Sequence, residues 1–231
     1  GRPVEGNDVR IIAITDDAID TWTDTREVSA GIVGEITVAG PSATDAYFNR
    51  DAQTRLAKIR EVTMDGDERI VHRMGDLGYL DREGRLWFCG RKSQRVVVDV
   101  ATTLCTEQVE PVFNTHPEVA RTALVGVPRA ASDGGLQLSR GDSGQLRQAT
   151  SEAGMSPVLC VELREGVTDS DWPRISEELR RMADGLVHTA KVERFIRYPK
   201  KFPVDIRHNA KIGREKLAAW AAKQPSKDAS T

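Results

Sequence analysis

The chain has 231 residues, 39% hydrophobic and 29% charged, with a formal net charge of -2. That is enough for one large soluble domain or two modest ones, and the balanced charge argues against a dedicated nucleic-acid binder. No run of about 18 apolar residues offers a membrane span, no secretory leader opens the sequence, and the scattered Cys89, Cys105 and Cys160 suit neither a disulfide framework nor a zinc set, so a reducing cytoplasm is expected.

Strand signals dominate the first 90 residues. Val9 to Ile14 is a β-branched run closed by Thr15-Asp16-Asp17. Gly34 to Gly40 is a second strand bracketed by glycines, and Pro41 to Asn49 reads as a loop. Arg50 to Arg60 reads as a short helix. Arg69 to Arg73 and Arg85 to Cys89 are further strands, with a hairpin turn at Asp81-Arg82-Glu83-Gly84. A small β-barrel-like piece is expected here.

After Gly90-Arg91 the pattern changes to α+β. Arg95 to Val100 reads as a strand, and Thr106 as the cap of a helix running through Val109 and Phe113 to a stop near Pro117. Arg121 to Val127 is a buried strand. Residues 129–156 are poor in bulky apolar side chains and read as a flexible surface insertion. Val158 to Leu163 resumes the sheet. Trp172, Ile175, Leu179 and Met182 fall at helical spacing within Asp171 to Gly185. Phe195 to Arg197 is a late strand and Arg214 to Ala222 a final helix. The division expected is 1–91 and 92–231. Charge divides too. From Lys191 onward there are 11 basic and 4 acidic residues, against 22 and 31 before it, so a basic tail follows an acidic body. Such a tail suits an anionic ligand or is a solvated face.

The stretch Gly75-Asp76-Leu77-Gly78-Tyr79-Leu80-Asp81-Arg82-Glu83-Gly84-Arg85-Leu86-Trp87-Phe88-Cys89-Gly90-Arg91 carries the most specific signal. It resembles the GDLGY-D-GxLxFxGR pattern of the adenylate-forming superfamily: acyl-CoA synthetases, luciferases and peptide-synthetase adenylation domains. Gly34 to Pro41, Tyr47 to Arg50 with Thr54, and Lys211-Ile212-Gly213-Arg214 resemble the same family, in its order. The resemblance implies ATP-dependent, AMP-forming activation of a carboxylate as its acyl-adenylate, with ATP and Mg2+ as cofactors. Asp76 and Arg91 then correspond to the nucleotide-binding pair and Lys211 to the catalytic lysine. The chemistry agrees with each assignment. A carboxylate accepts hydrogen bonds from vicinal ribose hydroxyls, a guanidinium fork reaches ribose or phosphate oxygens, and an ammonium neutralises charge building on the α-phosphate. Taken alone, these three residues read as a turn carboxylate, a surface arginine and a solvated lysine.

The resemblance also implies a small C-terminal lid that turns about a hinge. The hinge position is Ser93, beside Lys92, where the family commonly has Asp or Lys. Asp99 to Glu110 lacks the glycines that admit the coenzyme A arm in acyl-CoA synthetases, so CoA is not expected as a cofactor. Phe202 to Leu217, Asn114 to Pro117 and Pro157 to Glu162 resemble the olefin-biosynthesis β-lactone synthetases. Those enzymes activate a 2-alkyl-3-hydroxy fatty acid, and the substrate's own hydroxyl closes the ring, a closure that proximity accelerates. The family's phosphate-gripping loop and adenine-cradling segment are not in this sequence. The chain is therefore expected to be the C-terminal part of a longer enzyme, inactive alone, with the Mg2+ ligands elsewhere. The alternatives are an acyl-CoA or carrier-protein ligase of the same superfamily and a non-catalytic lid-like binding domain. The expected partners are a fatty-acid-type small molecule and other olefin-pathway enzymes. His72, His116, His188 and His208 lack metal-ligand spacing, so no metal ligand is assigned. His208, near Lys211, reads as a structural hydrogen-bond partner for Asn209 or a turn, with assistance to Lys211 as the alternative.

Overall fold

A computed structural model describes residues 1–129, 154–205 and 211–225. The chain divides into two compact units, Gly1–Ser93 and Gln94–Thr231. The expected insertion, 129–156, lies mostly outside the described residues, as does His208.

The first unit is an antiparallel sheet of β1 (Asp8–Ile12), β2 (Gly34–Ala39), β3 (Lys58–Val62), β4 (Glu68–Leu80) and β5 (Leu86–Arg91). The 13-residue β4 is its spine. One edge of β4 pairs with β2, from Gly34↔Gly78 to Ala39↔Val71. The other edge is shared. β3 takes its first half (Lys58↔His72 to Val62↔Glu68), and β5 takes its second half (Asp76↔Arg91 to Leu80↔Leu86). Between the halves, Gly75 has a φ of 68°, in the left-handed region that suits glycine. The β2 register slips at the same level, between Glu35 and Thr37, so β4 bulges there. Ile12, Ile19, Ala39, Ile59 and Val71 form the core, with Trp22 packed against it. The sheet is open. On the outer side of β1 the described residues offer only an isolated bridge, Ile12↔Glu27, so no closed barrel forms.

The segment expected to be helical from Arg50 to Arg60 splits. Helix α1 spans Asp51–Ala57 and buries no residue, and the chain passes directly into β3. Pairing with β4 satisfies the backbone of Lys58 to Val62 and overrides the local helical pattern.

The second unit has layers on both faces of a three-stranded sheet in the order β10-β9-β8. β8 (Val119–Pro128) and β9 (Met155–Leu163) are antiparallel; β10 (Arg194–Arg197) runs parallel to β9. That parallel return needs a crossover, which α3 (Trp172–Asp184) supplies. Alternate strand residues face opposite layers. Leu124, Leu159 and Val161 pack with Val109 and Phe113 of α2 (Thr106–Phe113) and with Ile175 and Leu179 of α3. Ala123, Val125, Val158 and Cys160 pack with Leu217 and Ala221 of α4 (Arg214–Ala221). Both faces are covered, which is why these strands read as continuous apolar runs.

Three local expectations shift. Only Val96–Val97 of the run Arg95 to Val100 is a strand, β6; it pairs with β7 (Thr103–Leu104), and residues 98–102 form the turn between them. Cys105, with extended backbone, occupies the cap position of α2. Thr106 is inside the helix, and its buried Oγ1 has no hydrogen-bond partner. β9 begins at Met155, two residues inside the segment expected to be insertion. The remaining described strands, β11 (Val204–Asp205) and β12 (Lys211–Ile212), form a two-stranded ribbon. Among the described residues no helix is long and apolar enough to cross a membrane.

Candidate active site

Asp76 and Arg91 stand directly opposite each other on β4 and β5. Asp76 Oδ1 lies 2.9 Å from Arg91 Nη1. That oxygen is buried, and the contact is an ion pair. Burial pushes the Asp76 carboxyl above the usual range for aspartate, and Arg91 opposes that shift. A partly exposed carboxylate beside a half-exposed guanidinium fits a polyhydroxylated anionic ligand. The glycines of the motif have distinct physical tasks. Gly75 supplies the positive φ of the bulge. At Gly78 a Cβ would stand 2.4 Å from the Trp87 carbonyl oxygen, so only glycine lets β5 approach β4 here. Tyr79 stacks on Trp87 at 6.2 Å between ring centroids, away from any reactive geometry.

Beneath this pair lies a buried ionic cluster that the sequence pattern does not announce. Glu35 on β2 and Arg73 on β4 are almost fully buried. Arg73 donates to Glu35 Oε2 through Nη2 at 2.7 Å and Nε at 3.2 Å. Its remaining donors reach the carbonyls of Thr15, Asp17 and Leu56. Lys92 Nζ donates to both Glu35 oxygens at 3.1 Å and to the Thr15 carbonyl at 2.9 Å. Burial pushes the Lys92 ammonium below the usual lysine value, against the pull of Glu35. Lys92 is therefore tied into the first unit, whereas Ser93, the other expected hinge residue, is exposed.

Lys211 is exposed in the second unit. It pairs across the ribbon with Asp205. Gly213 N donates to the Pro203 carbonyl at 2.7 Å, closing the turn that follows. Arg214 then opens α4 and points inward. Its Nη1 and Nη2 donate to the two carboxylate oxygens of Glu110 on α2, the second at 2.9 Å, and Nη1 also reaches the Leu124 carbonyl. Glu110 accepts the Leu124 backbone N–H at 2.7 Å as well. Burial pushes the Glu110 carboxyl up, with Arg214 opposing.

The turn between β6 and β7 is tight. Ala101 N donates to Asp99 Oδ1, Val98 N donates to the Thr102 carbonyl, and Val100 is fully exposed. At Gly154 a Cβ would lie 1.7 Å from the Val98 carbonyl oxygen, so glycine packs against the turn from outside rather than within it. Elsewhere His116, Glu118 and Glu178 approach one another within metal-ligand reach. Arg174 bonds both carboxylates and His116 Nε2 bonds Glu178, so the positive charge at this cluster is already a guanidinium. The three cysteines are buried; burial pushes Cys89 up to about 11 and Cys160 up to about 12, which keeps those two as inert core thiols.

No family model matches the chain. An olefin beta-lactone synthetase of Xanthomonas campestris pv. campestris is 57% identical over 225 residues, 97% of this chain and 36% of that protein. One from Stenotrophomonas maltophilia is 53% identical over 229 residues, 99% of this chain and 37% of that protein. The chain thus spans little more than a third of the curated relatives it matches. Among solved structures, an ATP-bound RpMatB-BxBclM chimera superposes with a TM-score of 0.64 at 20% identity, covering 96% of this chain and 36% of the chimera. That likeness is one of fold. Along nearly its whole length the chain is similar to the olefin beta-lactone synthetases, and it shares its fold with the ATP-bound chimera.

Proposed function

We propose that the protein to which this chain belongs activates a fatty-acid-type carboxylate with ATP and closes a 2-alkyl-3-hydroxyalkanoic acid to a β-lactone. The observation that carries the reading is the 57% identity to an olefin beta-lactone synthetase along 97% of the chain. In this reading Gly1–Ser93 is part of the nucleotide-binding domain and Gln94–Thr231 is the lid that turns at Ser93.

Asp76 accepts hydrogen bonds from the ribose hydroxyls through its carboxylate, and Arg91 donates to ribose or phosphate oxygens. Lys211 offers its ammonium to the negative charge that builds as a substrate carboxylate oxygen bonds to the α-phosphorus and pyrophosphate leaves. The 3-hydroxyl oxygen then attacks the acyl carbon of the adenylate, loses its proton and expels AMP. No second acyl acceptor is needed. That agrees with a β6–β7 turn built from residues carrying Cβ atoms rather than from glycines. The acid, ATP and any Mg2+ gather largely on parts of the enzyme beyond this chain.

The test is product analysis with the full-length protein, a 2-alkyl-3-hydroxy acid and ATP, with and without coenzyme A. The expected products are β-lactone, AMP and pyrophosphate, with no dependence on coenzyme A. Thioester formation would replace this reading with an acyl-CoA ligase. Full activity in both Asp76→Ala and Lys211→Ala would favour a non-catalytic lid-like domain.

A further inference from the structure

Lys211 is an exposed side chain on a two-residue strand, and such a group reaches a fixed point only if its flanks are fixed. Helix α4 is held by Leu217 and Ala221 in the core, and Arg194 Nη2 donates to the Ala221 carbonyl at 3.3 Å and to the Gln224 carbonyl at 2.7 Å. The residues just before it are tied by Gly213 N, which donates to the Pro203 carbonyl. Arg214, at the start of the helix, adds a tie to a distant element. Its fork grips Glu110, 104 residues earlier in the chain, and that carboxylate is itself fastened to the backbone of β8 at Leu124.

A buried ion pair is a poor source of net stability, because desolvating both charges consumes most of the attraction between them. It is a good device for setting position, since a planar fork on a carboxylate tolerates one geometry. We infer that Glu110 and Arg214 are positioning residues for Lys211: together they tie α2, β8 and the start of α4, and so fix where the lysine ammonium can reach. This rests on the reading of Lys211 as the catalytic lysine.

The experiment measures pyrophosphate release by the full-length protein at varied ATP and acid. Arg214→Met should lower kcat by about 10- to 100-fold, the cost of misplacing a catalytic group by roughly an ångström, while both KM values stay within about twofold. Adding Arg214→Met to Lys211→Ala should cause no further loss, since there is then no ammonium to misplace. Arg214→Met strands a buried carboxylate, so the paired variant Glu110→Gln/Arg214→Met, which strands no charge, is measured beside it and should show the same kcat loss. Losses that add in the Lys211→Ala background, or a raised KM with unchanged kcat, would overturn the inference while leaving the role of Lys211 intact. An unchanged kcat in Lys211→Ala alone would overturn both.

Discussion

Replacing Glu35 with glutamine should unfasten the centre of the first unit. The carboxylate is 1% exposed and holds two cations, Arg73 at 2.7 Å and Lys92 at 3.1 Å. Removing one member of a buried pair costs about 3–5 kcal/mol, because the remaining charge stays buried without its partner. Here two such charges remain, so the upper part of that range is expected. At about 1.4 kcal/mol per factor of ten, protection of the β2 and β4 amides should fall by roughly three to three and a half orders of magnitude. Lys92→Met should be much milder. Arg73 still satisfies Glu35 and the methionine keeps the apolar stem, so what is lost is one ammonium's bonds to Glu35 and the Thr15 carbonyl, about 1.5–3 kcal/mol. The two changes together should cost less than their sum, because they remove the same interaction. Peptide-resolved hydrogen exchange reads all three variants in the region that matters. A Glu35→Gln cost below about 1 kcal/mol would refute the reasoning, as would a Lys92→Met cost equal to that of Glu35→Gln.

Gly78→Ala brings a Cβ to 2.4 Å from the Trp87 carbonyl oxygen; β5 must part from β4, at about 1–3 kcal/mol, and faster amide exchange confined to β5 is the expected signature. Phe113→Ala empties a fully buried position packed edge-on against Phe195; a loss of about 3–5 kcal/mol is expected in denaturant unfolding of the second unit. Arg10 first, and Arg69 after it, hold the Glu61 carboxyl below its ordinary value of 4.5. A depressed carboxylate stabilises fully above that ordinary value, and the contribution is lost as the pH falls through the folded value. Protection of β3 should therefore decline below about pH 4.5 in the parent protein, and Glu61→Gln should flatten that decline; identical acid profiles would refute the assignment.

Asp76, Arg91 and Lys211 were singled out as candidates because they sit in fixed-spacing patterns, and the strand signals around them were local. Their supports were not legible, for a physical reason. Glu35, Arg73 and Lys92 are charged residues, and charge at an alternating strand position reads as solvent-facing. What buries them is partnership across 38 and 57 residues of chain, which no local window contains. Glu110 and Arg214 are the same case over a longer span. β3 was missed because Lys58 and Glu61 occupy buried places that an apolar side chain ordinarily marks. Lys58 is satisfied there by Thr44, and Glu61 by Arg10 and Arg69. Thr106 shows the smaller error of one residue. A good capping side chain lay next to the true cap, and backbone geometry chose Cys105.

The shared edge of β4 has a kinetic consequence. β3 with β4, and β4 with β5, are two short-range hairpins in tandem, joined through turns at 63–67 and 81–85. Each needs only a small loop to close, whereas β2 must return across some thirty residues to meet Gly78 and Val71. The tandem hairpins can thus form early and present a ready-made edge to β2. In the folded protein the same arrangement lets the β5 hairpin open while the β3 hairpin stays paired. The Asp76–Arg91 contact therefore lies in a segment that can breathe on its own, with Gly75 as its natural breakpoint.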